Sequence, residues 1–533
     1  MRRFVRFSLT VLLALLASCQ RETDVQRANR EKILLVGNVS DPKSLDFQLV
    51  SGVIEAKIIS SLFEGLVADH PSSDTIMSPG AATSWESNAD CTVWTFHLRR
   101  GAKWSDGISV SAHDFVFAYH RLLSPEFAAP YVEMLYFIRN AEEFNKGKIT
   151  DFSQVGVKAL DDETLRVELR EPVPYLPSVT RHYTWYPLPR HVVLRYGKMT
   201  DRFTPWSDPS HIQGNGAFIL REWKWNAHVE VAKNALYWNA KNVALNGIRF
   251  IPVENSYTET RAFLAGQLHT TYQVPSDLVD HIRQEYPQYL RQEPYIGTTF
   301  VRVNTLRPGL SDPRVRQALS CAVDRDELSR SLLKGFQPAT TMTPKLGDYQ
   351  PPAVLGFDPQ KARDLLALAG YPGGKGFPRY AMLVRSGATR ATGEALQAMW
   401  RKHLNVLIDF RAMDAGSYIS AQQNLDFDLA LAGWIGDYLD PSTFLLMWTE
   451  GNGNNNTGWH SAVYESLLRE AAHKPNIQDR FATYLRAESV LMDEMPVIPI
   501  IFQARSYLHR PEVKGWRPLL LDNHPWTAVR IEP

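Results

Sequence analysis

Three aspartates are the clearest candidates for chemistry, because a pair of carboxylates can hydrolyse a glycosidic bond as general acid and nucleophile or base. Asp106, Asp437 and Asp440 could supply such a pair, although a sequence gives no distance between them. No HExxH, CxxC or GxSxG motif occurs, and the 15 histidines are scattered without metal-ligand spacing. The residue types therefore favour a protein that is not an enzyme.

Neither the glycines nor the cysteines indicate a cofactor. Residues 370–376 (GYPGGKG) are similar to a phosphate-binding loop, but they lack the Ser or Thr after Lys375. They also follow a predicted helix, so we interpret them as the turn that ends it. Cys91 and Cys321 lie far apart in the sequence and match no metal-binding pattern, which favours two unpaired thiols.

The N-terminus has the features of a secretory signal. Three arginines precede an apolar run over residues 7–17, which is shorter than the about 20 residues of a membrane span. The run ends in Leu-Ala-Ser-Cys19, which resembles a bacterial lipobox and implies a signal peptide over 1–18 and a lipid on Cys19. Plain secretion without a lipid is the alternative. The polar residues 20–31 are expected to lack structure, with 19–30 acting as a tether.

The composition is that of a large globular protein. Its 58 Lys and Arg residues balance 57 Asp and Glu residues, whereas nucleic-acid binding requires a clustered basic excess. Nucleic acid is therefore excluded as a partner. The 533 residues exceed a usual domain of roughly 100–200 residues, so we expect two or three domains. No later stretch has the apolar length of a membrane span, so we expect membrane contact through the lipid alone.

Helix and strand signals alternate along the chain, which predicts an α/β fold. Residues 92–98 alternate as a strand, and Ser111 can cap a helix that follows it. Asp312-Pro313 and Asp358-Pro359 are typical helix starts, because Asp caps a helix and Pro fits its first turn. Residues 427–433 alternate as a strand that leads into the Trp-Ile-Gly-Asp turn.

Several motifs occur in the order typical of the bacterial extracellular solute-binding proteins of the oligopeptide type, known as family 5. The motifs are SPGAATSWE at 78–86, TVWTFHLR at 92–99, KWSDG at 103–107, AHDFV at 112–116, VKALDD at 157–162, EPVPY at 171–175, GNGAF at 214–218, Asn304 with DPRVRQAL at 312–319, DR at 324–325 and AGWIGDY at 432–438. Together they cover nearly all of the chain after the signal, and the chain resembles this family throughout.

The resemblance implies a periplasmic-binding-protein fold of type II with an extra lobe, in which three lobes close on a ligand about a hinge. Lobe I would comprise residues 31–65, 190–296 and 505–533, and lobe II the inserted residues 66–189. Lobe III would span 297–504, with two chain crossings between lobes I and III as the hinge. Such proteins deliver cargo to an ABC importer without catalysis. We expect a lipid-anchored monomer in the periplasm or at the cell surface, with short peptides and permease subunits as partners.

The resemblance also implies where a peptide would bind. The segment Gly433-Trp434-Ile435 would pair with the peptide backbone, and Asp437 would receive the α-ammonium group. The other residues that match the cleft lining of the family are Val53, Tyr131 and Tyr272. A turn residue remains the alternative for Asp437, and core packing remains the alternative for the other three.

The chain departs from well-studied oligopeptide binders where the far end of a peptide would lie. Leu431 stands at the position of an arginine that helps to bind the ligand carboxylate, and leucine cannot make that contact. Arg302, Arg385 and Arg390 stand where the family has other residue types. We expect one of them to bind the carboxylate instead, and solvated surface arginines are the alternative.

Two other functions stay open. The altered pocket could hold a specialised cargo, such as a murein peptide or a metal chelate. The protein could also be a peptide receptor that works without an importer. Asp437 favours an amine-bearing ligand in each case.

Overall fold

Residues 22–385 and 390–532 are described by a computed structural model, and their helices and strands alternate as predicted for an α/β fold. The α-helices are α1 Asp24–Glu31, α2 Val53–Leu62, α3 Ala112–Leu123, α4 Ala141–Asn145, α5 Leu176–Val179, α6 Arg190–Tyr196, α7 Ser256–Leu264, α8 Val279–Glu285, α9 Pro313–Cys321, α10 Arg325–Ser331, α11 Pro359–Leu368, α12 Arg390–Leu404, α13 Ala415–Gln423, α14 Ser442–Leu445, α15 Ala462–Ala472 and α16 Ile477–Glu494. None of these helices is long and apolar enough to cross a membrane.

The strands form several separate sheets. They are β1 Ile33–Gly37, β2 Val67–His70, β3 Ser73–Pro79, β4 Ala82–Ser87, β5 Val93–Leu98, β6 Val157–Ala159, β7 Thr164–Glu168, β8 Phe218–Lys224, β9 His228–Lys233, β10 Gly247–Ile251, β11 Leu290–Val303, β12 Gln337–Pro338, β13 Tyr380–Arg385, β14 Ile408–Met413, β15 Leu429–Ile435, β16 Val497–Leu508, β17 Val513–Lys514 and β18 Arg530–Ile531. We keep the names lobe I, lobe II and lobe III for the residue ranges given above.

Lobes I and II share one hydrophobic core. The lobe I sheet has the order β1-β10-β9-β8, and the main lobe II sheet has the order β4-β5-β7-β6. Side chains of both sheets, such as Val36 and Phe96, belong to a single buried cluster. The two lobes are therefore packed as one body, with lobe II emerging after α2 and returning before α6.

A buried ion pair joins these two lobes. Arg121 of α3 is fully buried and donates to both carboxylate oxygens of Asp46, at 3.0 and 2.6 Å. The same guanidinium donates to Gln48 Oε1 at 3.0 Å and to the Met199 carbonyl at 2.8 Å. The indole of Trp206 donates to the second Asp46 oxygen at 3.1 Å. Every charge in this contact is thus matched within the protein.

Lobe III is built on a six-stranded mixed sheet of order β12-β16-β11-β15-β13-β14. Helices cover both faces because successive side chains of its strands alternate between two cores. Leu431, for example, belongs to one buried cluster and its neighbour Ala430 to another. The predicted helix starts at Asp312 and Asp358 are confirmed, since each carboxylate accepts a backbone N–H of the first turn.

Two long strands run from lobe I into lobe III. β11 and β16 pair antiparallel, with Leu290 opposite Leu508 at one end and Arg302 opposite Val497 at the other. The pairing shifts register between Pro294 and Thr298. The expected crossing position 296/297 lies inside this irregular stretch, and 504/505 lies next to it. A local break in a ladder reduces the number of hydrogen bonds that resist bending, which suits a hinge.

The expectation of an unstructured segment over 20–31 is wrong for Asp24–Glu31, which form α1. Thr23 caps this helix in a capping box with Gln26, and Val25 and Ala28 are buried against Leu35 of β1. Asn29 hydrogen-bonds the buried His269 at 2.8 Å. Val25 and Ala28, at positions i and i+3, lie on one face of the helix. These two apolar residues are enough to dock α1, because this face covers only the single strand β1.

Candidate functional site

A cavity of about 640 Å³ lies where the three lobes meet. Lobe I contributes the start of α2 and the loop before β18, and lobe II contributes the segment from Arg181 to Tyr186. Lobe III contributes Trp434 to Asp437, at and after the end of β15. A volume of this size, walled by several lobes, is typical of a ligand site.

β15 has an open edge beside this cavity. β11 pairs with it over its whole length, from Leu429 to Ile435. On the other side β13 pairs only with Leu429 and Ala430, and within the described chain no strand continues that ladder to Ile435. Gly433 is exposed in this stretch. An unpaired edge offers backbone N–H and C=O groups to an extended ligand.

Asp437 projects its carboxylate into the cavity just beyond β15. The hydroxyl of Tyr131, from lobe II, donates to its Oδ1 atom, and its own amide donates to Thr443 Oγ1 at 3.0 Å. No Lys or Arg of the described residues forms an ion pair with it. Burial raises the pKa of Asp437 to about 7, the Tyr131 hydrogen bond lowers it, and the nearby Glu133 raises it further. The carboxylate therefore lacks a positive partner.

Lobes II and III touch each other next to Asp437. The Tyr175 ring stacks on Tyr438 with centroids 5.5 Å apart, and the amide of Leu439 donates to Ser178 Oγ at 3.2 Å. Together with the hydrogen bond from Tyr131 to Asp437, these contacts join lobe II to lobe III beside the cavity.

The three residues predicted by position to line the cleft have different surroundings. Val53, at the start of α2, lines the cavity and is 38% exposed, and Tyr131 lines it as well. Tyr272 does not line this cavity. Its ring instead lies 4.2 Å from the Arg505 guanidinium and 5.1 Å from the Lys57 ammonium group.

The three candidate arginines lie outside this cavity. Arg302 is buried in lobe III and donates to Gln422 Oε1 at 2.5 Å and to the Asn454 carbonyl at 3.2 Å. Arg390 is exposed and pairs with Glu394 one turn later at 2.8 Å. Arg385 is exposed at the last position of β13. The pairing of β13 with β15 stops at Ala430, and the rest of that edge of β15 is open.

Several residues of the cavity were not found by sequence reasoning. They are Glu64, Asp69, Arg181, Tyr186, Tyr237, Trp238 and Trp526. Glu64 had a signal of its own, since it is a single carboxylate inside the apolar run Leu-Phe-Glu-Gly-Leu. The others are ordinary polar and aromatic residues of long segments, and only tertiary packing brings them together.

The described residues contain no cluster of three or more His, Cys, Asp or Glu that could hold a metal ion. Cys91 and Cys321 are free cysteines, as predicted. Cys19, the predicted lipid attachment site, lies outside the described residues.

The site and the fold together define a class of protein. Sheet-based lobes that are joined by a pair of strands and surround a ligand cavity are the architecture of periplasmic binding proteins of type II, here with an additional lobe. The chain belongs to the bacterial extracellular solute-binding proteins, family 5, because the model of the middle region of that family matches residues 77–456. The resemblance found in the motifs is thereby confirmed.

Known members of the family are similar over almost the whole chain. The periplasmic oligopeptide-binding protein OppA of Salmonella typhimurium is 32% identical over 525 residues, which cover 95% of this chain and 94% of that protein. The periplasmic murein peptide-binding protein MppA of Escherichia coli is 32% identical over 497 residues, covering 91% of this chain and 90% of that one.

Solved structures agree with these similarities. The structure of Haemophilus influenzae OppA in complex with the peptide RPPGFSPFR has a TM-score of 0.80 at 30% identity, covering 94% of this chain and 99% of that one. The Escherichia coli murein tripeptide binding protein MppA also has a TM-score of 0.80 at 30% identity, covering 93% and 98%.

Proposed function

We propose that this protein binds short peptides outside the cytoplasm and delivers them to an ABC importer, without catalysing a reaction. The observation that carries the proposal is the Asp437 carboxylate, which faces a ligand-sized cavity without a cationic partner among the described residues. The α-ammonium group of a peptide supplies that charge. The oligopeptide-binding and murein peptide-binding relatives support the same type of cargo.

The open edge of β15 supports backbone recognition. A peptide whose amine lies at Asp437 can extend along Ile435, Trp434 and Gly433 and pair with their backbone groups. Such pairing supplies affinity without reading side chains. The unpaired part of β15 begins at Leu431, after the last residue that pairs with β13. The Leu431 carbonyl already accepts a hydrogen bond from the Tyr418 hydroxyl at 2.7 Å, so it is not available to a peptide.

For the peptide carboxylate we keep three candidates, Arg302, Arg385 and Arg390. Arg385 ends the strand next to the open edge, Arg302 donates to Gln422, and Arg390 pairs with Glu394. Comparing free-acid with C-amidated peptides tests this role. Equal affinity for both forms would rule out a carboxylate contact for all three residues.

The affinity for peptides is expected to depend on pH. Only ionised Asp437 pairs with an ammonium group, so lowering the pH below its pKa of about 7 weakens binding, by up to about tenfold per pH unit. Raising the pH above about 8 deprotonates the peptide amine and weakens binding again. Calorimetric titrations across this range should therefore give a maximum near neutrality. A flat profile up to high pH would contradict the ion pair.

We also propose a periplasmic or cell-surface location, with a monomer attached to the membrane through a lipid on Cys19. Mass spectrometry of the membrane fraction tests the lipid. A Cys19→Ser variant should lose the added mass and appear in the soluble fraction. Crosslinking to permease subunits in membranes would separate importer delivery from a receptor that acts alone.

The experiment that tests the function is mass spectrometry of whatever leaves the gently purified protein when it is denatured. A mixture of short peptides supports the proposal. A single murein peptide would favour the specialised cargo that the similarity to MppA also allows. Absence of any amine-bearing compound, together with no binding of added peptides, would refute the proposal.

A further inference from the structure

The cavity has an excess of negative charge. Its lining includes three carboxylates, from Asp437, Glu64 and Asp69, against the single guanidinium of Arg181. Arg181 pairs with Asp69 at 2.7 Å, so these two charges cancel. A peptide amine at Asp437 would cancel a third charge. Glu64 then remains as a carboxylate that no part of the proposed peptide backbone neutralises.

Neutral donors and aromatic rings surround Glu64. Tyr237 donates its hydroxyl to one oxygen, and the Trp238 indole donates to the other at 2.7 Å. Arg99 stacks on the Trp238 ring at 3.5 Å and lowers the pKa of Glu64, but burial has the larger effect and raises it to about 7. Glu64 is thus a cavity-lining carboxylate whose hydrogen-bond donors are neutral, so a ligand cation that reached it would gain a charge-assisted contact.

His182, which lines the cavity, adds no compensating charge. Burial lowers the pKa of His182 to about 3, so this ring is neutral at physiological pH. His524 is 3.1 Å from Asp522, which also meets Lys57 and Arg505. Lys57 and Arg505 also act on the buried carboxylate of Glu259, so these two cations face two carboxylates, neither of which lines the cavity. The uncompensated charge of the cavity stays on the Glu64 side.

One wall of the cavity connects Asp437 with Glu64. It is the 3₁₀ helix Tyr183–Trp185 with the following Tyr186. Burial and then the nearby Asp437 raise the pKa of Tyr183, whereas Asp69 and Glu64 are the carboxylates that act on Tyr186. Tyr183, Tyr186, Asp437 and Glu64 all line this one cavity. A lysine or arginine side chain is long and flexible, so it can extend from a backbone held at Asp437 along this wall toward Glu64.

We infer that Glu64, Tyr237 and Trp238 form a second cation site, which selects peptides with lysine or arginine as the first residue. The inference rests on the proposed function, since Asp437 must hold the α-amine for the first side chain to enter this part of the cavity. It adds side-chain selectivity at one position to a groove that otherwise reads the backbone.

Calorimetry on the unmodified protein tests the inference with four peptides of equal length. Lys-Ala-Ala should bind about tenfold or more tightly than Ala-Ala-Ala, and Glu-Ala-Ala should bind most weakly, because a buried charge-assisted contact is gained or a repulsion is added. Ala-Ala-Lys carries the same charge at another position and should gain little. Equal affinities for the first three, or an equal gain for Ala-Ala-Lys, would overturn the inference.

A Glu64→Gln variant makes the assignment specific. It keeps the size of the side chain and an acceptor for Tyr237 or Trp238. Within this variant, the affinity for Lys-Ala-Ala should fall to about the affinity for Ala-Ala-Ala, so that the ratio of the two approaches one. Glu254→Gln, on the exposed surface of lobe I, is the matched control and should change neither value.

Acetylated Ala-Ala-Ala separates this inference from the proposed function. If the acetylated and free peptides bind equally, the amine site at Asp437 fails. If only the free peptide binds but lysine brings no gain in the unmodified protein, the second cation site alone fails. The peptide comparison on the unmodified protein decides the matter even if the Glu64→Gln variant does not fold.

Discussion

An Asp437→Asn substitution is expected to weaken the binding of peptides with a free amine by about two orders of magnitude or more. Asparagine has the same shape and can still accept the hydrogen bond from Tyr131. It carries no charge, however, so the peptide ammonium would be buried without a counter-ion. Removing one partner of a buried ion pair costs about 3–5 kcal/mol, which corresponds to a loss of this size. Calorimetric titration with one tripeptide measures it.

Two controls make the Asp437 result specific. N-acetylated peptide should bind weakly to the unmodified protein, and the Asp437→Asn variant should discriminate little between the acetylated and free forms. An Asp426→Asn variant removes a carboxylate from the surface of lobe III, where it pairs with the exposed Arg411, and should bind peptides normally. If Asp437→Asn retains the affinity of the unmodified protein, the ammonium group of the ligand does not meet this carboxylate.

The sequence predicts the class of fold well because its local signals agree with the tertiary structure. Asp312 and Asp358 cap the helices that their Asp-Pro pairs indicate. α1 shows the opposite case. Its capping box, Thr23 with Gln26, is visible in the sequence, but a segment with only two buried apolar residues has too weak a hydrophobic period to predict a helix. Its docking site on β1 exists only in the folded chain.

A site residue can be predicted from the sequence when it belongs to a motif. It cannot be predicted when its place in the site depends on the direction of its side chain. Asp437 follows the motif at the end of β15 and lines the cavity, and its role in binding stays a prediction. Arg302 lies on β11 opposite Ala430, on the face of the sheet that packs against α13. One sequence does not show toward which face of the sheet the Arg302 side chain points. Glu64 had only a weak local signal, because an acidic residue after an amphipathic helix is usually solvated.

Arg121→Met is expected to produce the largest loss of stability. The guanidinium of Arg121 is fully buried and satisfies both oxygens of Asp46, and methionine fills a similar volume without a charge. Asp46 would then be a buried carboxylate whose remaining donors are the Trp206 indole and a backbone amide. Breaking such a pair from one side costs about 3–5 kcal/mol. Urea denaturation, monitored by tryptophan fluorescence, measures the change in the free energy of unfolding.

Comparison with a surface pair and a double variant isolates the cause. Arg139→Met removes a lobe II arginine of an exposed pair with Glu168 and should cost at most about 1 kcal/mol. Adding Asp46→Asn to Arg121→Met should restore part of the lost stability, because the stranded charge is removed together with its partner. If Arg121→Met costs no more than Arg139→Met, the ion pair does not hold lobes I and II together. Their shared hydrophobic core would then be sufficient to keep the two lobes together as one body.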